Sequence, residues 1–143
     1  KRDWSSNVCS SDLDASGMGW GVVDRLRQLG YKVIGIQTGE RDPAKKGKYH
    51  NLRTELWVRM RDWLKDMGCI PNDVELKAEL EGPEYYFDND NAIQLERKEE
   101  MEARGIPSPD CADALALSFA HPVPYQSQQK RLRLSDDLNW RAV

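Results

Sequence analysis

The sequence predicts a layered α/β fold, and three patterns predict it. An amphipathic helix over residues 21–29 leads into the apolar run 31–37, which is typical of a buried strand. After residue 51, apolar side chains recur at three- and four-residue spacing, as in a long helix. Two short apolar runs between residues 84 and 96 flank Asn89-Asp90-Asn91, which favours a hairpin. Alternating helices and strands are typical of α/β domains.

Local signals place the limits of the first elements. Gly30 is a natural stop for the first helix, and residues 38–48 form a loop that carries glycine and lysine. Asn51 is a good N-cap for the long helix, which we expect to end at Gly68. Its apolar face consists of Leu52, Leu56, Met60, Trp63, Leu64 and Met67.

The second half of the chain predicts shorter elements. A brief helix begins at Asn72 or Asp73 and runs through Leu80. After the hairpin, residues 97–104 form a charged helix and residues 108–120 an apolar one.

Composition excludes several classes of protein. The 143 residues suit one domain, and no run approaches the roughly 18 apolar residues of a membrane span. The N-terminus lacks the order of a signal peptide, and the three cysteines form no CxxC pair, so we expect a protein that is neither secreted nor membrane-bound. The net charge is −3, yet residues 41–65 carry eight lysines and arginines while residues 73–102 are mostly acidic. One surface can therefore meet phosphates although the whole chain is acidic.

We divide the chain into three segments. Residues 1–13 are serine-rich, without helical or strand periodicity, and resemble a translated sequencing adapter, so we expect a foreign or disordered leader. Residues 14–122 form the domain. The proline-punctuated, mixed-charge residues 123–143 form a C-terminal tail that crosses the surface or is disordered.

The apolar helix contains one carboxylate that needs an explanation. Ser108 fits its N-cap and Pro109 its first position, while Asp110 lies in the first turn, where negative charge suits the helix dipole. Asp113 lies too far in to cap, and its neighbours predict a helix buried on most sides. A carboxylate there is costly unless it is paired, protonated or bound to a metal. We therefore expect a metal or catalytic role, with a partly exposed edge or a buried ion pair as alternatives.

A second acid precedes a glycine-rich turn. Asp14 is followed by Ala-Ser-Gly-Met-Gly-Trp-Gly, which opens the first helix and allows close approach of backbone or ligand oxygens. Val22 replaces the third glycine of a dinucleotide fingerprint, and no acidic ribose reader follows Ile36, so a Rossmann site is disfavoured. GxxxxGK[ST] is also absent from the sequence.

Four ordered segments of the sequence form a pattern: the run from Asp14 to Leu26, Tyr49-His-Asn-Leu-Arg-Thr-Glu-Leu-Trp57, Leu95-Glu-Arg-Lys-Glu-Glu-Met101 and the run from Ser108 to Ala120. Together they resemble the nuclease domain of the large terminase subunit of tailed bacteriophages. The resemblance implies a ribonuclease-H-like mixed sheet flanked by helices. By the same resemblance, Asp14 matches the acid that ends an inner strand, and Asp113 matches the acid of the Ala-Asp-Ala-Leu helix.

The resemblance also implies an activity. Domains of this family cut concatemeric viral DNA during genome packaging, with acids that hold two Mg²⁺ or Mn²⁺ ions, and the intact protein works with the portal and the small terminase subunit in the host cytoplasm. Two such ions about 3.5 to 4 Å apart generate the attacking hydroxide and neutralise the leaving oxygen. The family has another metal-binding aspartate on a first strand upstream of Asp14. Since that strand and the preceding ATPase domain are missing here, we expect weak metal binding and poor cleavage.

Weaker candidates surround these acids. Lys98, Arg104 and Arg53 are candidate nucleic-acid contacts, although a mixed-charge helix is more often a solvated face. Arg53 and Glu55 either support the site or form local ion pairs on an exposed helix edge. Four aromatic residues are expected to pack in the core or hairpin rather than stack on bases: Trp57, Trp63, Tyr85 and Tyr86. The competing interpretation of the whole chain is a noncatalytic ribonuclease-H-like or Rossmann-like module that binds nucleic acid or protein.

Overall fold

The computed structural model describes residues 11–41 and 47–121. Their elements, in chain order, are β1 (Ser11–Asp14), α1 (Gly19–Gln28), β2 (Val33–Ile36), α2 (Leu52–Lys65), α3 (Val74–Glu81), β3 (Tyr85–Phe87), β4 (Ile93–Leu95), α4 (Lys98–Ala103) and α5 (Asp110–Leu117). The predicted α/β class is confirmed. Among these residues, no helix is long and apolar enough to cross a membrane.

The strands form two separate pairs in the described part of the chain. β1 and β2 are parallel, from Ser11 opposite Val33 to Asp14 opposite Ile36, and α1 connects them. β3 and β4 form the predicted antiparallel hairpin, with Tyr85 opposite Leu95. A single bridge from Tyr49 to Ile93 joins the hairpin to the segment before α2. Because β1 and β2 are parallel, their carboxyl ends lie at the same edge.

Strand β1 extends to the N-terminal side of the boundary predicted at residue 14. Ser11, Asp12 and Leu13 belong to β1, so regular structure begins inside the expected leader. Pairing with the apolar strand β2 supplies the order that the local sequence does not predict. Residues 1–10 and 122–143, which include the predicted tail, lie outside the described residues.

Helix α2 lies at the centre of the packing. Asn51 caps it as predicted, because its side chain accepts a hydrogen bond from the backbone N–H of Thr54 at 2.9 Å. The helix ends at Lys65, three residues before the expected stop, and Met67 takes a positive φ of 65°. The core that α2 forms with α5 contains Leu56, Trp57, Met60, Ala112 and Ala116.

Helix α5 differs from its prediction in two ways. Ser108 is not the N-cap: Pro109 is, and the Ser108 hydroxyl donates instead to Asp110 Oδ1 at 2.7 Å. The backbone N–H of Ala112 is satisfied from α3, by Glu79 Oε2 at 2.8 Å. The helix is also only half-buried, since small side chains such as Ala114 face solvent while Ala112 is buried.

Candidate active site

An open cavity of about 390 Å³ lies where the carboxyl end of β1 approaches α2 and α5. It brings together residues that are about a hundred positions apart in the chain. Its charged lining residues are Asp12, Asp14, Arg53, Lys98, Asp110 and Asp113. Asp14 and Asp113, predicted as a pair from sequence, therefore line the same cavity.

Asp14 is the last residue of β1, at the position predicted for it. Its Oδ1 accepts a hydrogen bond from the backbone N–H of Ser16 at 2.9 Å and a longer one from Thr38 Oγ1 at 3.4 Å. The turn that follows is tight: a Cβ on Gly19 would collide with the backbone carbonyl of Asp14. Glycine at this position thus allows α1 to begin directly behind an exposed carboxylate.

Asp113 lies in the first turn of α5, with about one fifth of its side chain exposed. Its Oδ1 accepts two hydrogen bonds from α2, one from Arg53 Nε at 2.9 Å and one from Trp57 Nε1 at 2.8 Å. Its Oδ2 lies 3.0 Å from Lys98 Nζ. The carboxylate is therefore both ion-paired and open to the cavity, which combines two of the alternatives raised by the sequence.

Lys98 begins α4 and bridges two carboxylates of α5. Its Nζ lies 3.0 Å from Asp110 Oδ1 as well as from Asp113 Oδ2. Burial works against its charged form, but the hydrogen bonds to Asp110 and Asp113 outweigh burial and raise the pKa of Lys98. The pKa of Asp110 is lowered, first by the hydrogen bond from Ser108 and then by Lys98.

Arg53 reaches the cavity from the first turn of α2. In addition to its bond to Asp113, its Nη1 donates to the backbone carbonyl of Glu96 at 3.0 Å. Its Nη2 is buried and has no hydrogen-bond partner among the described residues. Arg53 is thus a structural part of the site, and one of its donors is left unsatisfied.

Arg104, the other predicted arginine, is not brought to the site. It binds Glu96 and Glu84 on the hairpin side of α4 and does not line the cavity. Glu55, weighed as a supporting residue, is buried and pairs with Arg59 one turn along α2.

Two residues of the site were not predicted. Asp12 lies two positions before Asp14, so strand geometry directs both side chains to the same face, and His121 Nδ1 lies 3.4 Å from its Oδ1. Trp57 was predicted as a packing residue. It is indeed buried, but its indole N–H also binds Asp113. The four-residue spacing of Arg53 and Trp57 on one helix face was the available signal.

The hairpin tyrosines do not lie in the core, but Tyr85 packs within the hairpin, where its ring lies edge-on to Phe87 with centroids 6.4 Å apart. Tyr85 is 63% exposed and Tyr86 is 39% exposed, because β3 belongs to a two-stranded sheet with little cover. Trp63 packs against Phe119, with ring centroids 5.5 Å apart, although it remains partly exposed.

The donor set suits a hard divalent cation only in part. Carboxylate oxygens are the ligands that Mg²⁺ and Mn²⁺ prefer, and three aspartates besides Asp110 line the cavity. Within residues 11–41 and 47–121, however, no three acidic, histidine or cysteine side chains converge closely enough to hold a metal ion. A cation at these aspartates would need water or phosphate oxygens to complete its coordination.

Comparisons with known proteins relate this architecture to solved structures. No family model and no curated protein matches the sequence. One similar structure is a lysine-to-alanine mutant of the nuclease domain of the large terminase subunit gp2 of bacterial virus Sf6, with manganese and β-thujaplicinol. The TM-score is 0.65 at 21% identity, over 78% of this chain and 65% of that chain.

Two further structures of the same Sf6 domain give similar values. The mutant with calcium has a TM-score of 0.63 at 23% identity, and covers 78% of this chain and 64% of that chain. The nuclease domain without the mutation has a TM-score of 0.59 at 22% identity over 78% and 65%. This chain thus spans just under two thirds of the length of these domains. Its fold is the ribonuclease-H-like fold of the nuclease domain of the Sf6 large terminase subunit.

Proposed function

We propose that this chain is part of a phage terminase nuclease domain whose cavity hydrolyses phosphodiester bonds of double-stranded viral DNA with bound Mg²⁺ or Mn²⁺. The observation that carries the proposal is the meeting of Asp14 and Asp113 at one open cavity of a fold shared with a known nuclease domain. The Sf6 structures solved with manganese or calcium support a divalent ion. Portal and small terminase subunit are the partners proposed for the intact protein, in the host cytoplasm.

The residues of the cavity would have different roles in such a reaction. Asp14 and Asp113 would hold the cation, and Asp12, on the same strand face as Asp14, would add negative charge beside it. A bound divalent ion polarises the phosphoryl group and lowers the pKa of its water. Lys98 would contact a phosphate oxygen once its bond to Asp113 is exchanged for the cation.

We expect the activity of this chain to be weak. In the described part of the chain, no three acidic, histidine or cysteine side chains are placed to hold a metal ion, so a bound ion would retain several water ligands.

A noncatalytic module is the second candidate, and one observation favours it. Asp113 is already neutralised by Arg53 and Lys98, as in a structural ion pair. In that case, divalent cations would not compete for the carboxylate.

Thermal unfolding with and without millimolar Mn²⁺ distinguishes these candidates. A ligand that binds only the folded state stabilises it by about 2.7 kcal/mol at a hundred times its dissociation constant. We expect Mn²⁺ to raise Tm for the unmodified chain and for the control Asp24→Asn, whose side chain is exposed on α1 away from the cavity. The shift should be lost in Asp14→Asn and in Asp113→Asn. Nicking of supercoiled plasmid by the unmodified chain, and not by the latter two variants, would support catalysis.

Equal Mn²⁺ shifts in all four proteins would contradict the proposed site. Absence of any shift, together with absence of nicking, would favour the noncatalytic module.

A further inference from the structure

The two oxygens of Asp113 have different surroundings. Oδ1 accepts from Arg53 Nε and Trp57 Nε1, at 2.9 and 2.8 Å. In the portion of the chain that the structure describes, Oδ2 contacts only Lys98 Nζ, at 3.0 Å. Two donors from one helix therefore hold one oxygen, and a third donor from another helix holds the other.

The donors to Oδ1 are held rigidly. Trp57 is 8% exposed within the core, and the Arg53 guanidinium lies over its ring, 5.8 Å from the centroid. Arg53 is fixed further by the Glu96 carbonyl. Because the two residues are four positions apart on α2, helix geometry presents both to α5 at once.

The donor to Oδ2 is easier to displace. The Lys98 side chain is 45% exposed, and its ammonium is shared with Asp110. An ammonium on a four-carbon stem reorients at little cost, whereas a packed indole does not. A cation entering from the cavity therefore meets an oxygen whose present partner can leave.

We propose that Arg53 and Trp57 are positioning residues that fix Oδ1 of Asp113 and leave Oδ2 as the single oxygen offered to a divalent cation, with Lys98 as its exchangeable partner. This inference rests on the proposed function. Groups that hold the nonligating atom of a metal ligand fix its orientation, and their loss typically lowers metal affinity 10- to 100-fold. We call the two hydrogen bonds from Arg53 and Trp57 to Asp113 Oδ1 the clamp. The clamp gives these two residues a role in metal binding although neither would contact the metal.

The test compares two tryptophans of the same helix. Trp57→Phe keeps an aromatic ring but removes the indole N–H, whereas Trp63→Phe makes the same change where the ring packs on Phe119. Mn²⁺ affinity is measured directly, from the electron paramagnetic resonance signal of free Mn²⁺. We expect a loss of about tenfold in Trp57→Phe and almost none in Trp63→Phe. Arg53→Lys keeps the charge but loses the planar guanidinium that bonds Asp113 and the Glu96 carbonyl at once, so it should also weaken binding and provides a second variant if Trp57→Phe does not fold.

The outcomes separate this inference from the function on which it rests. Unchanged affinity in both Trp57→Phe and Arg53→Lys, with binding still lost in Asp113→Asn, overturns the clamp alone. Equal losses in the two tryptophan variants also overturn it, because general packing would then be the cause. If the unmodified chain binds no Mn²⁺, the proposed function fails and the clamp fails with it.

Discussion

Glu96 is a buried carboxylate whose charged form is stabilised mainly by Arg104. Its side chain is 7% exposed and accepts hydrogen bonds from Arg104 Nε at 2.7 Å and from the backbone N–H of Glu84 at 3.0 Å. The hydrogen bond from Arg104 lowers the pKa of Glu96 below its ordinary value and outweighs the opposing effect of burial. The pair ties the end of β4 to the end of α4, close to the Glu96 carbonyl that anchors Arg53.

This lowered pKa predicts a dependence of stability on pH. A carboxyl with a lower pKa in the folded state stabilises the fold fully above its unfolded pKa, about 4.3, and loses this contribution as pH falls through the folded value. Glu96→Gln should therefore unfold at lower denaturant concentration than the unmodified chain at pH 7. The difference between the two should shrink below about pH 4.

Urea unfolding from pH 7 to pH 3 measures the effect. Glu102→Gln, an exposed change on the neighbouring helix α4, is the control and should shift the midpoint little. A Glu96→Gln difference that stays constant over the whole pH range would show that the lowered pKa is not the source of its stabilisation.

The sequence predicts some site residues better than others, for a physical reason. Asp14 and Asp113 are unusual in their local surroundings, one before a glycine turn and the other in an apolar helix, so they are visible without a structure. Trp57 is an ordinary apolar residue locally, and its role arises from a contact with a residue 56 positions away. Asp12 becomes significant only because β1 pairs with β2. Contacts between residues far apart in the chain cannot be predicted from local periodicity.

Helix α2 serves the core and the site through one continuous face, on which the residues of both sets recur at three- and four-residue spacing. Leu56 and Met60 pack toward α5, while Arg53 and Trp57 hold Asp113. The start of α2 fixes the position of both sets, because Asn51 Oδ1 accepts from the N–H of Thr54 at 2.9 Å and from its hydroxyl at 2.8 Å.

The N-termini of α2 and α5 are capped differently, so we expect similar substitutions there to lower the free energy of unfolding by different amounts. Asn51→Ala removes the cap of α2 and should destabilise the chain by about 1 kcal/mol. Ser108→Ala, the matched change at the predicted but unused cap of α5, should cost less than about 0.5 kcal/mol, since it removes only an exposed bond to Asp110. Urea denaturation of both variants provides the measurement. Equal costs would mean that Ser108 caps α5 in solution after all.

The predicted start of a helix agrees with the structure where the local capping signal is strong. Asn51 and Asp73 are capping residues without a competing partner nearby, and the helices begin where they predict. In Ser108-Pro109-Asp110, the serine hydroxyl finds a carboxylate two residues away, and that bond replaces the cap. The half-buried character of α5 depends instead on its tertiary neighbours, which no local pattern contains.

At the scale of the whole molecule, the cavity depends on two chain segments that pack from opposite sides. The parallel pair supplies Asp14, and the α2–α5 pair supplies Asp113. Only the family resemblance predicted that these acids meet, because periodicity and composition carry no information on which elements are adjacent. The net charge of −3 likewise concealed how the basic residues are used.

Most of the described basic side chains near α2 are already paired. Arg59 binds Glu55, Arg61 binds Asp62, and Arg41 binds Asp88 and Asp90. A lysine that lines the cavity is a better candidate for the proposed contact with DNA than these arginines, even if it is paired as well, because they do not line the cavity. Lys98 is that residue, but its two carboxylate partners oppose the contact until a cation replaces it at Asp113.

This competition predicts that the salt dependence of DNA binding changes with divalent cations. Each phosphate contact contributes about −0.9 to the slope of log affinity against log salt concentration. With millimolar Ca²⁺, Lys98→Gln should make the slope shallower by about one, as expected for the loss of one phosphate contact. Without Ca²⁺ the change should be smaller, because Lys98 then remains bound to Asp110 and Asp113.

Fluorescence anisotropy with a labelled duplex measures both slopes. The control is Arg61→Gln, since Arg61 is already paired on the surface of α2. Equal slopes for Lys98→Gln and the unmodified chain in Ca²⁺ would remove Lys98 from the proposed DNA interface and limit its role to pairing with Asp110 and Asp113.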